Sequence, residues 1–124
     1  FEEMRLAALL QSVRLGPGAL RAAEVVWMAT RAGAATLGLA GEVGALEPGM
    51  RADVIVVSRR QAHVAPDPDP YGTLVYASRG ADVRYTVVDG EVLVAEGLAV
   101  RVDHQAIVAS AAAAAREVTA RAGV

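Results

Sequence analysis

The chain has 124 residues with a net charge of -2, enough for one domain that buries roughly two thirds of its unfolded surface if it folds alone. Its basic residues are all Arg and are scattered, so no concentrated positive field exists for nucleic acid or an anionic membrane surface, and neither partner is expected. There is no Cys, which removes disulfides, thiolate nucleophiles and Cys-ligated zinc, and the apolar runs are too short to span a bilayer. A cytoplasmic location is the expectation.

Glu2 to Leu15 has the spacing of a helix: Leu6, Leu9, Leu10 and Val13 form one apolar face, and Glu2 and Glu3 favour the positive end of the dipole. Gly16-Pro17-Gly18 stops it. A second helix is expected over Ala22 to Arg31, with Gly33 as a left-handed terminator and Ala34 to Leu37 adding one further turn before Gly38. Val25, Val26, Met28 and Ala29 give that helix a broad apolar face, which implies burial between neighbours. Trp27 and Met28 are expected in the core, and Thr30, Gly33 and Ala34 are expected to serve close packing.

From Gly41 the texture becomes strand-like. Pro48-Gly49 suits the centre of a type II turn, and Val54 to Val57, without polar alternation, reads as a strand covered on both faces. Pro66 to Pro70 is expected to be an extended surface connection, because each residue before a proline is pushed out of the helical region. Asp89-Gly90 signals a two-residue hairpin that pairs Val88 with Glu91, Val87 with Val92 and Tyr85 with Val94. In that register Tyr85, Val87, Val92 and Val94 share a face that covers the core. After a turn at Glu96-Gly97, Asp103 caps a final helix from His104 to about Arg121, docked lightly through Ile107, Val108 and Val118.

Few residues offer chemistry. His63 and His104 are far apart and belong to no His-x-His or His-Glu-x-x-His pattern, so each reads as a surface or helix-start histidine. Asp67 and Asp69 have the spacing of a calcium loop, but no Glu closes it. Gly38, Gly41 and Gly44 miss the phosphate-cradle spacing and suit turns and close packing. Ser12, Ser58, Ser78 and Ser110 lack a nucleophile elbow. Glu24, Arg31 and Glu42 are surface charges or contacts between domains. The residues alone describe an α+β segment without a complete catalytic apparatus.

Several stretches, in order, resemble the C-terminal end of a metal-dependent amidohydrolase: Phe1 to Arg5, Ala7 to Gln11, Met28-Ala29-Thr30, Gly33-Ala34, Leu37-Gly38-Leu39, Leu46-Glu47-Pro48-Gly49 with Ala52-Asp53-Val54, Leu74 to Ala77, Gly80 to Val83, and Val88-Asp89-Gly90. Leu74 to Ala77 with Gly80 to Val83 and Val88-Asp89-Gly90 is most similar to the branch of methylthioadenosine and S-adenosylhomocysteine deaminases and triazine chlorohydrolases. The resemblance implies helices from the end of a (β/α)8 barrel at 1–40, part of a composite β-sandwich at 41–102 and a terminal helix at 103–124. It implies a divalent metal, zinc or iron, in the parent enzyme, where metal-activated water attacks an aminated purine or triazine-like ring and expels ammonia, an amine or halide.

The family's metal-binding histidines, acid/base glutamate and final metal-binding aspartate have no matching positions here. No catalytic, cofactor-binding or metal residue is therefore assigned, and Asp53, Asp82 and Asp89 are not given that role. With Phe1 in place of an initiator Met, the chain is expected to be the tail of such an enzyme, inactive alone, with the remainder of the hydrolase and further copies of itself as partners. The alternative is a non-catalytic structural or interaction module derived from one.

Overall fold

A computed structural model describes residues 1–123. Helix α1 spans Glu2–Leu15, with Glu2 and Glu3 in its first turn and Arg14 in its last, so both ends complement the dipole. Gly16 ends it with positive φ, as the Gly16-Pro17-Gly18 punctuation suggests. The buried face is not the expected one. Leu6, Leu9 and Leu10 are half exposed and Val13 is 85% exposed, whereas Ala8 is fully buried with Met4 beside it. Neighbouring helical segments approach the Ala8 side, where a methyl group permits close contact, and the leucine stripe stays open.

The second helix begins as α2 (Ala22–Trp27), widens into a π turn over Met28–Ala32 and finishes as α3 (Gly33–Thr36). Its start is braced by Glu24, whose carboxylate accepts the Arg21 backbone N–H at 2.8 Å and its guanidinium at 3.0 Å. Within the wide turn Thr30 Oγ1 donates to Val26 O at 2.7 Å, giving that carbonyl a side-chain partner. Gly33 is right-handed, with φ -59, and does not end the helix. Gly38, at φ 75, does so after the extra turn. Trp27 and Met28 are 55% and 47% exposed, so the core expectation fails for both; Val25 is the buried member of α2.

Strand β1 (Val54–Val57) opens a four-stranded antiparallel sheet of order β1-β2-β3-β4, with β2 at Val83–Val88, β3 at Glu91–Ala95 and β4 at Leu98–Ala99. Gly49 has φ 92 and Met50 N–H reaches Glu47 O at 3.2 Å, the expected type II turn ahead of the sheet. Asp89 and Gly90 both have positive φ, and Val88 faces Glu91 and Val87 faces Val92 as the hairpin requires. Val94, however, faces Thr86 rather than Tyr85, because a bulge inserts one residue into β3. The shared face of Tyr85, Val87, Val92 and Val94 is thereby broken, and Val92 is 43% exposed.

A second register shift lies between Val56 and Val57. β1 is an edge strand whose Ile55 and Val56 are half exposed, so it is not covered on both faces. Between β1 and β2 the chain makes a 3-10 turn at Ala62–Val64, a short α4 at Pro70–Gly72 running into a π turn at Thr73–Ala77, and a second 3-10 turn at Gly80–Asp82. The proline-rich connection lies mostly at the surface as expected, but Pro70 starts a helix that Asp69 caps through the Tyr71 and Gly72 N–H groups, both at 3.0 Å. Val75, from this segment, is fully buried in one cluster with Ala8 and Val25. The helical layer is thus completed by chain that follows β1.

After the Glu96-Gly97 turn, α5 (His104–Ala122) starts at Asp103, whose carboxylate accepts Ala106 N–H at 3.0 Å, and ends at left-handed Gly123. The cap is as expected but the light docking is not. Ile107, Val108 and Val118 are 52%, 68% and 57% exposed, and no described residue of α5 is buried. Alanine supplies enough intrinsic propensity for a helix with little tertiary support.

Candidate functional site

The buried polar groups concentrate between β1 and β2. His63 Nε2 lies 2.9 Å from Asp82 Oδ2, and Asp82, only 4% exposed, also accepts the Arg79 N–H at 2.8 Å. The His63 hydrogen bond, helped by the Arg79 N–H, holds the Asp82 carboxyl below its ordinary value against burial, which pushes the other way. Asp82 O accepts Ser58 N–H at 2.8 Å, tying the end of β1 to the start of β2. This pair carries no spacing signal, because a loop brings together residues that belong to no common motif.

The other carboxylates here are similarly occupied. Asp67 accepts the Thr73 hydroxyl at 2.7 Å and pairs with Arg59; the Thr73 bond first, then Arg59, lowers its pKa. Asp69 is a helix cap. The calcium-like spacing therefore serves two local structural tasks. Asp53 accepts the Asp89 N–H at 2.6 Å and Asp89 approaches Arg51 Nε at 3.3 Å, so both fasten the hairpin tip to the preceding turn.

Both histidines are structural in their contacts, and His104 Nε2 accepts the Ala99 N–H at 3.0 Å. Ser12 donates to Ala8 O at 3.0 Å, Ser58 Oγ accepts the Arg60 N–H at 3.3 Å, Ser78 is buried and Ser110 is exposed. Among the described residues neither histidine bonds a serine hydroxyl, so no nucleophile–base pair forms. Glu24 pairs with Arg21 and Arg31 with Glu47, while Glu42 is exposed. Gly38 and Gly41 have positive φ in open space, and Gly44 has positive φ in close contact with the α2–α3 helix, so turn and packing roles account for all three.

Two cavities flank this framework. One, of about 430 Å³, is lined by Phe1, Glu2, Arg5, Ser78, Arg79 and Gly80. Arg5 donates to Ser78 O at 2.9 Å, while its Nε is buried with no hydrogen-bond partner among the described residues. The other, about 480 Å³ and mainly apolar, lies between the helices and β1, with Met4, Val26, Leu46, Ile55 and Leu74 on its walls. Among the described residues no three His, Cys, Asp or Glu side chains gather as metal ligands, so the donor set present does not fit a catalytic metal. No helix among them is long and apolar enough to cross a membrane.

Residues 1–93 match the amidohydrolase family. The chain is 43% identical over 122 residues to a 5'-deoxyadenosine deaminase of Methanosarcina barkeri, covering 98% of this chain and 28% of that protein. It is also 43% identical over 111 residues to a 5-methylthioadenosine/S-adenosylhomocysteine deaminase of Pelotomaculum thermopropionicum, covering 89% and 25%. Among solved structures, a zinc-bound adenosine deaminase from Xanthomonas campestris superposes with a TM-score of 0.83 at 30% identity, over 88% of this chain and 25% of that one. A zinc complex of atrazine chlorohydrolase from Arthrobacter aurescens gives 0.79 at 32%, over 90% and 25%. The chain spans about a quarter of the length of the relatives it matches. With three quarters of its own length inside the family match and both deaminases and a chlorohydrolase as relatives, this mixed helix and antiparallel-sheet chain belongs to the amidohydrolase family.

Proposed function

We propose that the chain is the C-terminal part of a metal-dependent hydrolase that deaminates or dechlorinates an aminated purine or triazine-like ring, and that it is inactive alone. The observation that carries this reading is the asymmetry of coverage: 98% of this chain against 28% of the Methanosarcina barkeri deaminase. Residues 1–40 are the last helices of a (β/α)8 barrel, 41–102 part of a composite β-sandwich and 103–124 a terminal helix, with Val124 outside the described residues. The parent's divalent metal, zinc or iron, is held by residues outside this chain, and zinc in the adenosine deaminase and chlorohydrolase structures supports that choice of ion. When bound, the metal supplies Lewis acidity toward water. This segment supplies no ligand; its role is packing.

Its partners are the remainder of the hydrolase chain and further copies, in the cytoplasm, with no nucleic acid or membrane. The exposed Leu6, Leu9, Leu10 and Val13 stripe and the open face of β1 support that reading as surfaces awaiting cover. The test has two parts. The purified chain with added zinc or iron should turn over no aminated purine or triazine, whereas the product of an in-frame extension upstream of Phe1 should do so. An authentic start codon and ribosome-binding site at this position would favour the interaction-module reading instead.

A further inference from the structure

His63 and His104 are set against groups that demand opposite tautomers. His63 Nε2 lies 2.9 Å from Asp82 Oδ2, and the same oxygen accepts the Arg79 N–H. The His63 bond, helped by the Arg79 N–H, keeps that carboxyl below its ordinary value, so near neutral pH it is ionised and can only accept. Nε2 of His63 therefore carries a hydrogen. At His104 the roles are reversed: Nε2 meets the backbone N–H of Ala99 at 3.0 Å, and a backbone N–H can only donate. That nitrogen must present a lone pair, so the neutral ring carries its hydrogen on Nδ1.

The His104 contact matters because little else holds α5. No described residue of the helix is buried, and its other described side-chain bonds are the Asp103 cap and bonds within the helix. Val100 N–H to Leu93 O at 3.0 Å and the Arg101–Glu91 ion pair fasten the chain leading to α5, but not the helix itself. Ala99 lies on the edge strand β4, where no further strand receives its N–H. One nitrogen lone pair thus satisfies the sheet edge and seats the start of α5.

The charged groups on the joined elements are otherwise engaged. β4 itself carries none; Glu96 before it is taken up by Arg84 and Tyr85, Arg101 by Glu91, and Asp103 by the Ala106 N–H, while Arg116, Glu117 and Arg121 lie toward the far end of α5. Around His63, Asp69 on the wall of the same cavity is a helix cap and Arg59 pairs with Asp67.

An added proton acts on the two rings in opposite senses. On His63 it enters at Nδ1, which leaves the Nε2–H on Asp82 in place and adds a charge-assisted attraction. On His104 it enters at Nε2, which turns the acceptor into a donor facing a donor. We propose that His104 is a pH-operated latch: acidification through the histidine range releases α5 from the sheet edge, while the His63–Asp82 clamp stays closed. The released helix keeps its Asp103 cap and its alanine propensity, and so departs as an intact helix. The latch does not depend on the hydrolase reading.

The experiment uses the complete protein with isotope-labelled histidine, its two ring signals assigned by their loss in His104→Gln and His63→Gln. NMR of the ring nitrogens is combined with hydrogen–deuterium exchange resolved to single amides and corrected for intrinsic rate, from about pH 8 to about pH 5. At the upper end His104 should be the Nδ1–H tautomer and His63 the Nε2–H tautomer. On acidification, protection of the Ala99 amide should fall about two- to tenfold, while the Arg79 amide, which reports the Asp82 clamp, keeps its protection. The Gln oxygen reaches the place of Nε2 and does not titrate, so His104→Gln should keep Ala99 protected at both ends. His104→Phe, a ring without an acceptor, should leave it poorly protected at both. An Nε2–H tautomer at His104, Ala99 protection that ignores pH in the wild type, or a wild-type pH response in His104→Gln would overturn the latch. Equal loss of protection at Arg79 would overturn its selectivity.

Discussion

His63 Nε2 and Asp82 Oδ2 lie 2.9 Å apart, joining two 3-10 turns through a carboxylate that is almost completely buried. Replacing His63 with Phe leaves that carboxylate with the Arg79 N–H as its remaining bonded donor, and should cost about 1–3 kcal/mol. Thermal unfolding measures the loss. The folded-state pKa of Asp82 lies below its ordinary 3.8, so its stabilising contribution is full above that value and disappears as pH falls through the lower folded value. The difference between wild type and His63→Phe should therefore be largest near neutral pH and shrink below pH 3.8. A constant difference down to full acid denaturation would show that the bond does not involve the carboxylate.

Gly44 should tolerate no side chain. It has φ +93, and an added Cβ would lie 3.0 Å from both Ala34 Cβ and Thr30 O and 3.1 Å from Arg31 Cα. Gly44→Ala combines left-handed strain with overpacking and should cost at least about 2 kcal/mol. Gly41→Ala is the internal control, with φ +84 but open space around the added carbon, and should cost only the backbone strain of about 1–2 kcal/mol. Equal melting shifts for the two variants would contradict the close packing at Gly44.

The leucine stripe of α1 should make the isolated chain self-associate, because Leu6, Leu9, Leu10 and Val13 present a contiguous apolar row at helical spacing. Leu9→Glu with Val13→Lys should shift sedimentation toward the monomer without reducing helix content. A wild-type chain that stays monomeric across a concentration series would refute this.

α5 should respond to its cap more than to its apolar residues. Asp103→Ala removes the bond to Ala106 N–H and should destabilise the helix by about 1 kcal/mol, visible as lost helicity with the sheet intact. Ile107→Ala should change stability by less than about 0.5 kcal/mol, since that side chain is half exposed. A larger effect for Ile107→Ala in thermal melts would reveal docking of α5.

Features governed by neighbouring residues were readable from the sequence. The ends of α1, the Pro48-Gly49 turn, the Asp89-Gly90 hairpin and the Asp103 cap follow from capping, dipole and positive-φ requirements that need no knowledge of the rest of the fold. Burial was not readable in the same way. Leu6, Trp27 and Ile55 have core-like periodicity but remain open, since periodicity identifies an apolar face without saying what lies against it. The bulge in β3 escaped because the turn sets register only near itself, and the shift between β1 and β2 escaped because the long connection joining those strands fixes no register. The His63–Asp82 and Arg5–Ser78 contacts depend on loop closure between distant positions, for which local spacing offers no sign.

The widened turn at Met28–Ala32 bears on mechanics. Val25 is buried with Ala8 and Val75, while Ala34 is buried beyond the wide turn, where it meets the Gly44 loop. In a regular helix of 3.6 residues per turn these two positions would point in nearly opposite directions; the π turn alters that phase, and each end of the helix grips a different partner. Sliding the helix along either partner would disengage the other. The rod is thus bolted at both ends, to the Ala8–Val75 cluster at one and to the Gly44 loop at the other.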